Sequence, residues 1–129
     1  MAGRLLLDSN AVIAIFANED SIRPYLLAAD EVLVPSIVLG ELYYGARRSA
    51  RASANEARID QFAASTPVLP CDTGTAREYG LVKERLRAKG RPIPENDVWI
   101  AAVAQQHGLT VLSRDQHLQE IDGLPILSW

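Results

Sequence analysis

The chain holds a single cysteine, Cys71, and only two histidines, His107 and His117, in 129 residues. One thiol excludes an internal disulfide and any cysteine cluster for a metal, and Cys71 is expected as a small buried hydrophobe at a strand end. With no cysteine pair and with the histidines isolated, zinc is a poor candidate ion. No apolar run approaches the ~18 to 20 residues of a membrane helix, and the amino terminus lacks the basic flank and small-residue cleavage site of a signal peptide. A cytoplasmic protein without membrane association is expected. Positive charge is short as well, with 13 Lys and Arg against 16 Asp and Glu and a net charge of −3. A nucleic-acid binder with that balance needs local basic patches or bound cations to tolerate phosphate. Repeats, low-complexity segments and linkers are missing too, so one domain over residues 1–129 is the expectation.

What is present is ordinarily globular, 48% hydrophobic and 22% charged, which rules out disorder and fibrous design. Three leucines, Leu5 to Leu7, run straight into Asp8, Ser9 and Asn10. The apolar run reads as a buried strand that delivers a carboxylate to the rim of a sheet, with a helix over Ala11 to Phe16 opening directly after it. A short helix from Pro24 to Ala29 follows, then a strand over Glu31 to Val34. Ser36 reads as the N-cap of a helix from Ile37 through Arg47. Ser49 to Asn55 is a turn or weak helix start before an amphipathic stretch carrying Ile59 and Phe62.

Thr66 to Cys71 supplies a third strand, and Asp72 or Thr73 caps a helix whose apolar positions Ala76, Tyr79, Val82 and Leu86 recur at helical spacing. Gly90 to Pro94 interrupts the chain. Asn96 then reads as the cap of an apolar helix, Val98 to Ala104, that stops at Gly108. Thr110 to Ser113 is a fourth strand and Ile126 to Trp129 a candidate fifth. This alternation implies parallel pairing through crossovers, hence an α/β fold: a three-layer α/β/α sandwich around a mainly parallel sheet of four to five strands.

Four carboxylates fit a structural role poorly. Asp8 ends the first strand, Glu41 sits among Ile37, Val38, Leu39, Leu42 and Tyr43, Asp97 opens an apolar helix, and Asp115 follows the fourth strand. Taken singly, Asp97 is also explained as a first-turn acid favoured by the helix dipole, Asp115 as a turn residue, Asp8 as a cap and Glu41 as a solvated helix acid. Taken together they lie where sites of open α/β sheets gather, outside the carboxyl ends of the strands. Acids embedded in apolar sequence are paired, neutralised or bound to a cation. No lysine or arginine stands beside Asp8 or Glu41 in the sequence, and a hard divalent ion, Mg2+ or Mn2+, accounts for several carboxylates at once.

The stretches LLLDSNAVIAIF from Leu5, VPSIVLGELYYGARRS from Val34, GRPIPENDVWIAAVAQQHGLTVLSRDQHL from Gly90 and the closing PILSW resemble the PIN-domain ribonucleases, and more narrowly the VapC toxins of toxin-antitoxin pairs. Ser49 to Thr66 is the least similar part. The resemblance implies a single PIN domain in which Asp8, Glu41, Asp97 and Asp115 hold one or two Mg2+ or Mn2+ ions, with Asn10 and Ser113 supporting the acids by hydrogen bonding. It also implies a sheet order that makes the ends of the first and fourth strands neighbours. The implied activity is endoribonuclease hydrolysis of RNA by in-line attack of water, leaving a 5'-phosphate and a 3'-hydroxyl. The implied partners are the RNA substrate, a second copy in a homodimer, and a VapB-type antitoxin whose carboxy-terminal segment lies over the active-site groove.

Two basic clusters, Arg47, Arg48 and Arg51 and then Arg85, Arg87, Lys89 and Arg91, read either as phosphate contacts or as solvated helix faces. Tyr43 and Tyr44 read as packing residues before they read as base-stacking ones. The alternatives are a housekeeping PIN nuclease of RNA processing, a binding module without catalysis, and a phosphoryl-accepting α/β domain. A receiver domain needs an acidic pair near its start and a late lysine, whereas Leu5 to Leu7 precede Asp8 and Arg114 is the basic residue at the fourth strand. A phosphatase of the aspartyl type needs a second aspartate at position 10, which is Asn10.

Overall fold

Leu5, Leu6 and Leu7 are all 0% exposed, as expected of a strand covered on both faces of a parallel sheet. They belong to β1 (Arg4–Leu7), the middle strand of five. The computed structural model describes residues 3–129. Its elements after β1 are α1 (Ser9–Phe16), α2 (Arg23–Ala28), β2 (Glu31–Pro35), α3 (Ser36–Arg47), α4 (Ala52–Ser65), β3 (Val68–Leu69), α5 (Thr73–Lys89), α6 (Glu95–His107), β4 (Thr110–Leu112) and β5 (Ile126–Leu127). Short 3-10 turns at Asp20–Ile22 and His117–Glu120 complete them.

The strand order is β3-β2-β1-β4-β5, every pairing parallel. Leu6 stands opposite Leu33 on one side and Val111 on the other. The chain therefore winds outward from β1 in one direction through β2 and β3, then in the other through β4 and β5. That reversal lies between β1 and β4, where an open α/β sheet leaves a crevice beyond its strand ends. Among the described residues six helices flank the sheet. α6 is the most deeply set, with Val98 and Ile100 through Ala104 buried. Among the described residues no helix is long and apolar enough to cross a membrane.

Local chemistry explains where the expected boundaries move. Ser36 does not cap α3: the helix already includes it, and Pro35 occupies the cap position with no side-chain bond. Asn96 likewise is not the cap of α6, which begins at Glu95 behind Pro94. In both cases proline, with its fixed φ and missing N–H, sets the helix start one or two residues ahead of the polar side chain. The third strand shrinks to Val68–Leu69 because Pro67 and Pro70 on either side have no N–H to donate to a ladder. Cys71, beyond Pro70, is exposed rather than buried, since the edge strand ends before it. The weak stretch after Ser49 becomes helical from Ala52.

Asp72 does cap α5, in a reciprocal box with Thr75. At the end of α6, Gly108 adopts φ +65° and its N–H reaches the Ala104 carbonyl, the left-handed closure that favours glycine. A Cβ there would meet nothing within 4 Å, so the cost of a side chain is the backbone conformation alone. Gly108→Ala is expected to destabilise the fold by about 1 kcal/mol, read as a lower urea midpoint with unchanged slope.

Candidate functional site

The ends of β1 and β4 are in register, Leu7 opposite Leu112, so the residues that follow them, Asp8 and Ser113, meet across the reversal point. Asp8 is only 3% exposed, and both its oxygens are engaged. Oδ1 accepts the Ala11 N–H at 2.9 Å and so caps α1. Oδ2 accepts the Ser113 hydroxyl. The capping reading and the site reading of Asp8 thus hold together. Burial pushes its pKa upward, the bonds from Ser113 and Ala11 oppose that, and the charges of Asp115 and Glu41 push it further up.

Ser113, itself buried, also accepts the Asp115 N–H at 2.9 Å. One hydroxyl therefore ties the carboxylate of Asp8 to the backbone of Asp115. Glu41, brought in by α3, accepts the Ser9 hydroxyl at 2.9 Å. Asp97 stands in the first turn of α6. All four acids open onto one cleft of roughly 490 Å3, together with Asn10 and His117 at its rim. Asn10 is exposed and makes no hydrogen bond to any of the four acids, whereas Ser113 bonds to one directly.

Among the described residues no lysine or arginine lines this cleft. The consequence shows at Asp97, whose pKa is raised from 3.8 to about 7, first by burial and then by the neighbouring Asp115 charge, a shared hydrogen bond with Asp115, and Glu41. His117 opposes the rise. A fifth acid at the cleft, Glu95, behaves differently. Its carboxylate is taken by the Lys83 ammonium and the Tyr79 hydroxyl, which hold its pKa low. Glu95 is neutralised within the protein; Asp97 is not.

His117 is the residue that sequence reasoning missed. Far from isolated, its Nδ1 lies 3.1 Å from Asp115 Oδ1 and 3.7 Å from Asp97 Oδ2. Ligand atoms of Asp97, Asp115 and His117 all lie within 4.8 Å of one another. The D-x-H spacing of residues 115 to 117 was the available signal. It takes effect only because a 3-10 turn begins at His117, with the His117 N–H donated to Asp115 at 2.8 Å. Ser9 was missed as a partner of Glu41 for a similar reason, since the bond spans α1 and α3.

Of the basic clusters, Arg47, Arg87, Lys89 and Arg91 pair with Glu56, Glu84, Asp122 and Glu120 at the surface. Tyr43 packs against the core and donates to Asp60. Tyr44, in contrast to the expected packing role, is 65% exposed, beside a groove that shares Glu41 and Asn96 with the acidic cleft.

A family model described as "PIN domain" matches residues 5–124. "Ribonuclease VapC2" of Haemophilus influenzae is 30% identical over 129 residues, covering 98% of both chains. "tRNA(fMet)-specific endonuclease VapC" of Salmonella typhimurium is 32% identical with the same coverage. Among solved structures, the DNA-bound VapBC from Salmonella typhimurium superposes with a TM-score of 0.89 at 31% identity, covering 98% of each chain. VapBC2 from Rickettsia felis, bound to a promoter DNA fragment, gives 0.88 at 26% identity with the same coverage.

Proposed function

The chain belongs to the PIN-domain family, and on that premise we propose that it is a metal-dependent endoribonuclease, the toxin of a VapBC-type pair. The observation that carries this reading is the cleft at the β1–β4 reversal, where Asp8, Glu41, Asp97 and Asp115 converge with no lysine or arginine among the lining residues. The support from kinship is that full-length relatives are named as VapC ribonucleases and that similar folds occur in VapBC complexes.

The donor set fits a hard divalent cation. It is rich in carboxylate oxygen, and at Asp97 burial, with the neighbouring Asp115 and Glu41 charges, raises the pKa to about 7. We assign the ion to Asp8, Glu41, Asp97 and Asp115, with Mg2+ or Mn2+ as its identity. When bound, such a cation supplies positive charge to offset the charge that builds on a phosphate during hydrolysis. The protein's own contribution is positional. Ser113 fixes Asp8 and the Asp115 backbone, and Ser9 orients Glu41. Asn10 stands exposed at the rim of the same cleft. The groove beside Tyr44 offers an aromatic face for an RNA base next to the acids.

As partners we propose RNA as substrate, a VapB-type antitoxin as inhibitor and a second copy as homodimer partner, acting in the cytoplasm. One domain over residues 1–129 remains our reading, supported by a single sheet and a core continuous from Leu5 to Leu124.

Protein freed of antitoxin and incubated with total RNA and Mg2+ or Mn2+ is expected to cut it, leaving 5'-phosphate ends, with all cleavage lost in EDTA. Cleavage that survives chelation would overturn the metal reading. Growth arrest on expression, relieved by the adjacent gene, distinguishes a toxin from a housekeeping nuclease.

A further inference from the structure

We propose that His117 is a nitrogen ligand of the same ion, and that it biases the site toward Mn2+ and against Mg2+. This rests on the metal reading of the acidic cleft and extends it to a residue outside the acidic quartet. Donors about 2.1 Å from one ion stand about 3 Å apart when adjacent and about 4.2 Å apart when opposite. His117 Nδ1 lies 3.1 Å from Asp115 Oδ1 and 3.7 Å from Asp97 Oδ2, within that span. The ring faces Asp97 and Asp115, and its backbone N–H is already donated to Asp115. The side chain is 57% exposed, so the imidazole can adjust to an ion without repacking the core.

The selectivity follows from the donor type. Mg2+ demands oxygen in near-ideal octahedral geometry and gives up its waters reluctantly. Imidazole nitrogen suits transition metals, with affinity rising along the first-row series from Mn2+. A site of four carboxylates alone would discriminate little between Mg2+ and Mn2+. Adding one imidazole strengthens only the transition-metal side.

The test uses the full chain stripped of metal and titrated separately with Mn2+ and Mg2+ by calorimetry. Wild type is expected to bind Mn2+ at least about tenfold more tightly than Mg2+. His117→Ala should erase most of that preference, weakening Mn2+ while moving Mg2+ by less than about threefold. Pulsed electron paramagnetic resonance of the Mn2+ complex should show nitrogen coupling in wild type and none in His117→Ala. Equal weakening of both ions, or no nitrogen coupling in wild type, overturns the proposal. Asp97→Asn separates the two levels. If it abolishes binding while His117→Ala changes nothing, the acidic site stands and the histidine ligand falls. If neither ion binds wild type, both fall.

Discussion

Asp97→Asn is expected to cut RNA about a thousandfold more slowly than wild type, while its metal-free form melts at a higher temperature at pH 8. The two effects have one cause. Asp97 is folded into a place where no lysine or arginine of the described residues lines the cleft to hold its negative charge, so the position is arranged for a ligand and not for stability. Removing one ionised donor costs several kcal/mol of the charge stabilisation that a bound cation brings to the transition state, and about 4 kcal/mol is a thousandfold in rate.

The stability half has a definite sign. Asp97 titrates at about 7 in the folded protein against 3.8 ordinarily. Between those values the folded chain holds a proton that the unfolded chain has released. Stability of the metal-free protein therefore falls as pH rises from about 4 to 7 and stays low above it. The interval corresponds to at most about 4 kcal/mol, and on the order of 2 kcal/mol is expected because the carboxyl keeps some contact with water. Asparagine carries no charge and should remove this slope. Thermal melts of both proteins in EDTA at pH 5 and pH 8 check it. A variant that cleaves within tenfold of wild type, or melts with the same pH slope, would show that Asp97 is a helix acid and no more.

How much of this could be read without coordinates depends on the range of the interaction involved. Asp8 was legible because a run of buried leucines stops at it, a local pattern. The family resemblance supplied the sheet order, and with it the meeting of the β1 and β4 ends. Capping was legible where the polar side chain precedes the helix with no proline nearby, as at Asp72, and misleading where Pro35 or Pro94 stands just ahead of Ser36 or Asn96. Cys71 was misplaced because burial was inferred from residue type, and the two prolines that cut β3 short decide the matter. His117 stood two residues from Asp115, but its approach to Asp97 was not legible because it joins the turn after β4 to the first turn of α6. Spacing along the chain carries no trace of that approach.

Ser113→Ala is expected to lower cleavage by about 10- to 100-fold, the usual scale for a residue that holds a metal ligand in place. Ser113 touches no substrate in this reading; it acts through others. Its hydroxyl donates to Asp8 and accepts from the Asp115 backbone, so one deletion disturbs two proposed ligands that follow two different strands. Alanine leaves the Asp115 N–H without its acceptor and takes from Asp8 a donor that opposes its upward pKa shift. Asp8 should then hold its proton more tightly and bind metal less well at neutral pH. An unmet buried donor or acceptor costs about 1 to 3 kcal/mol, so the variant should also melt several degrees lower. Because the lesion is in metal retention, raising Mn2+ should restore part of the rate, which a mere loss of folding would not allow. Full activity at low metal would show that Asp8 and Asp115 are held in place without Ser113.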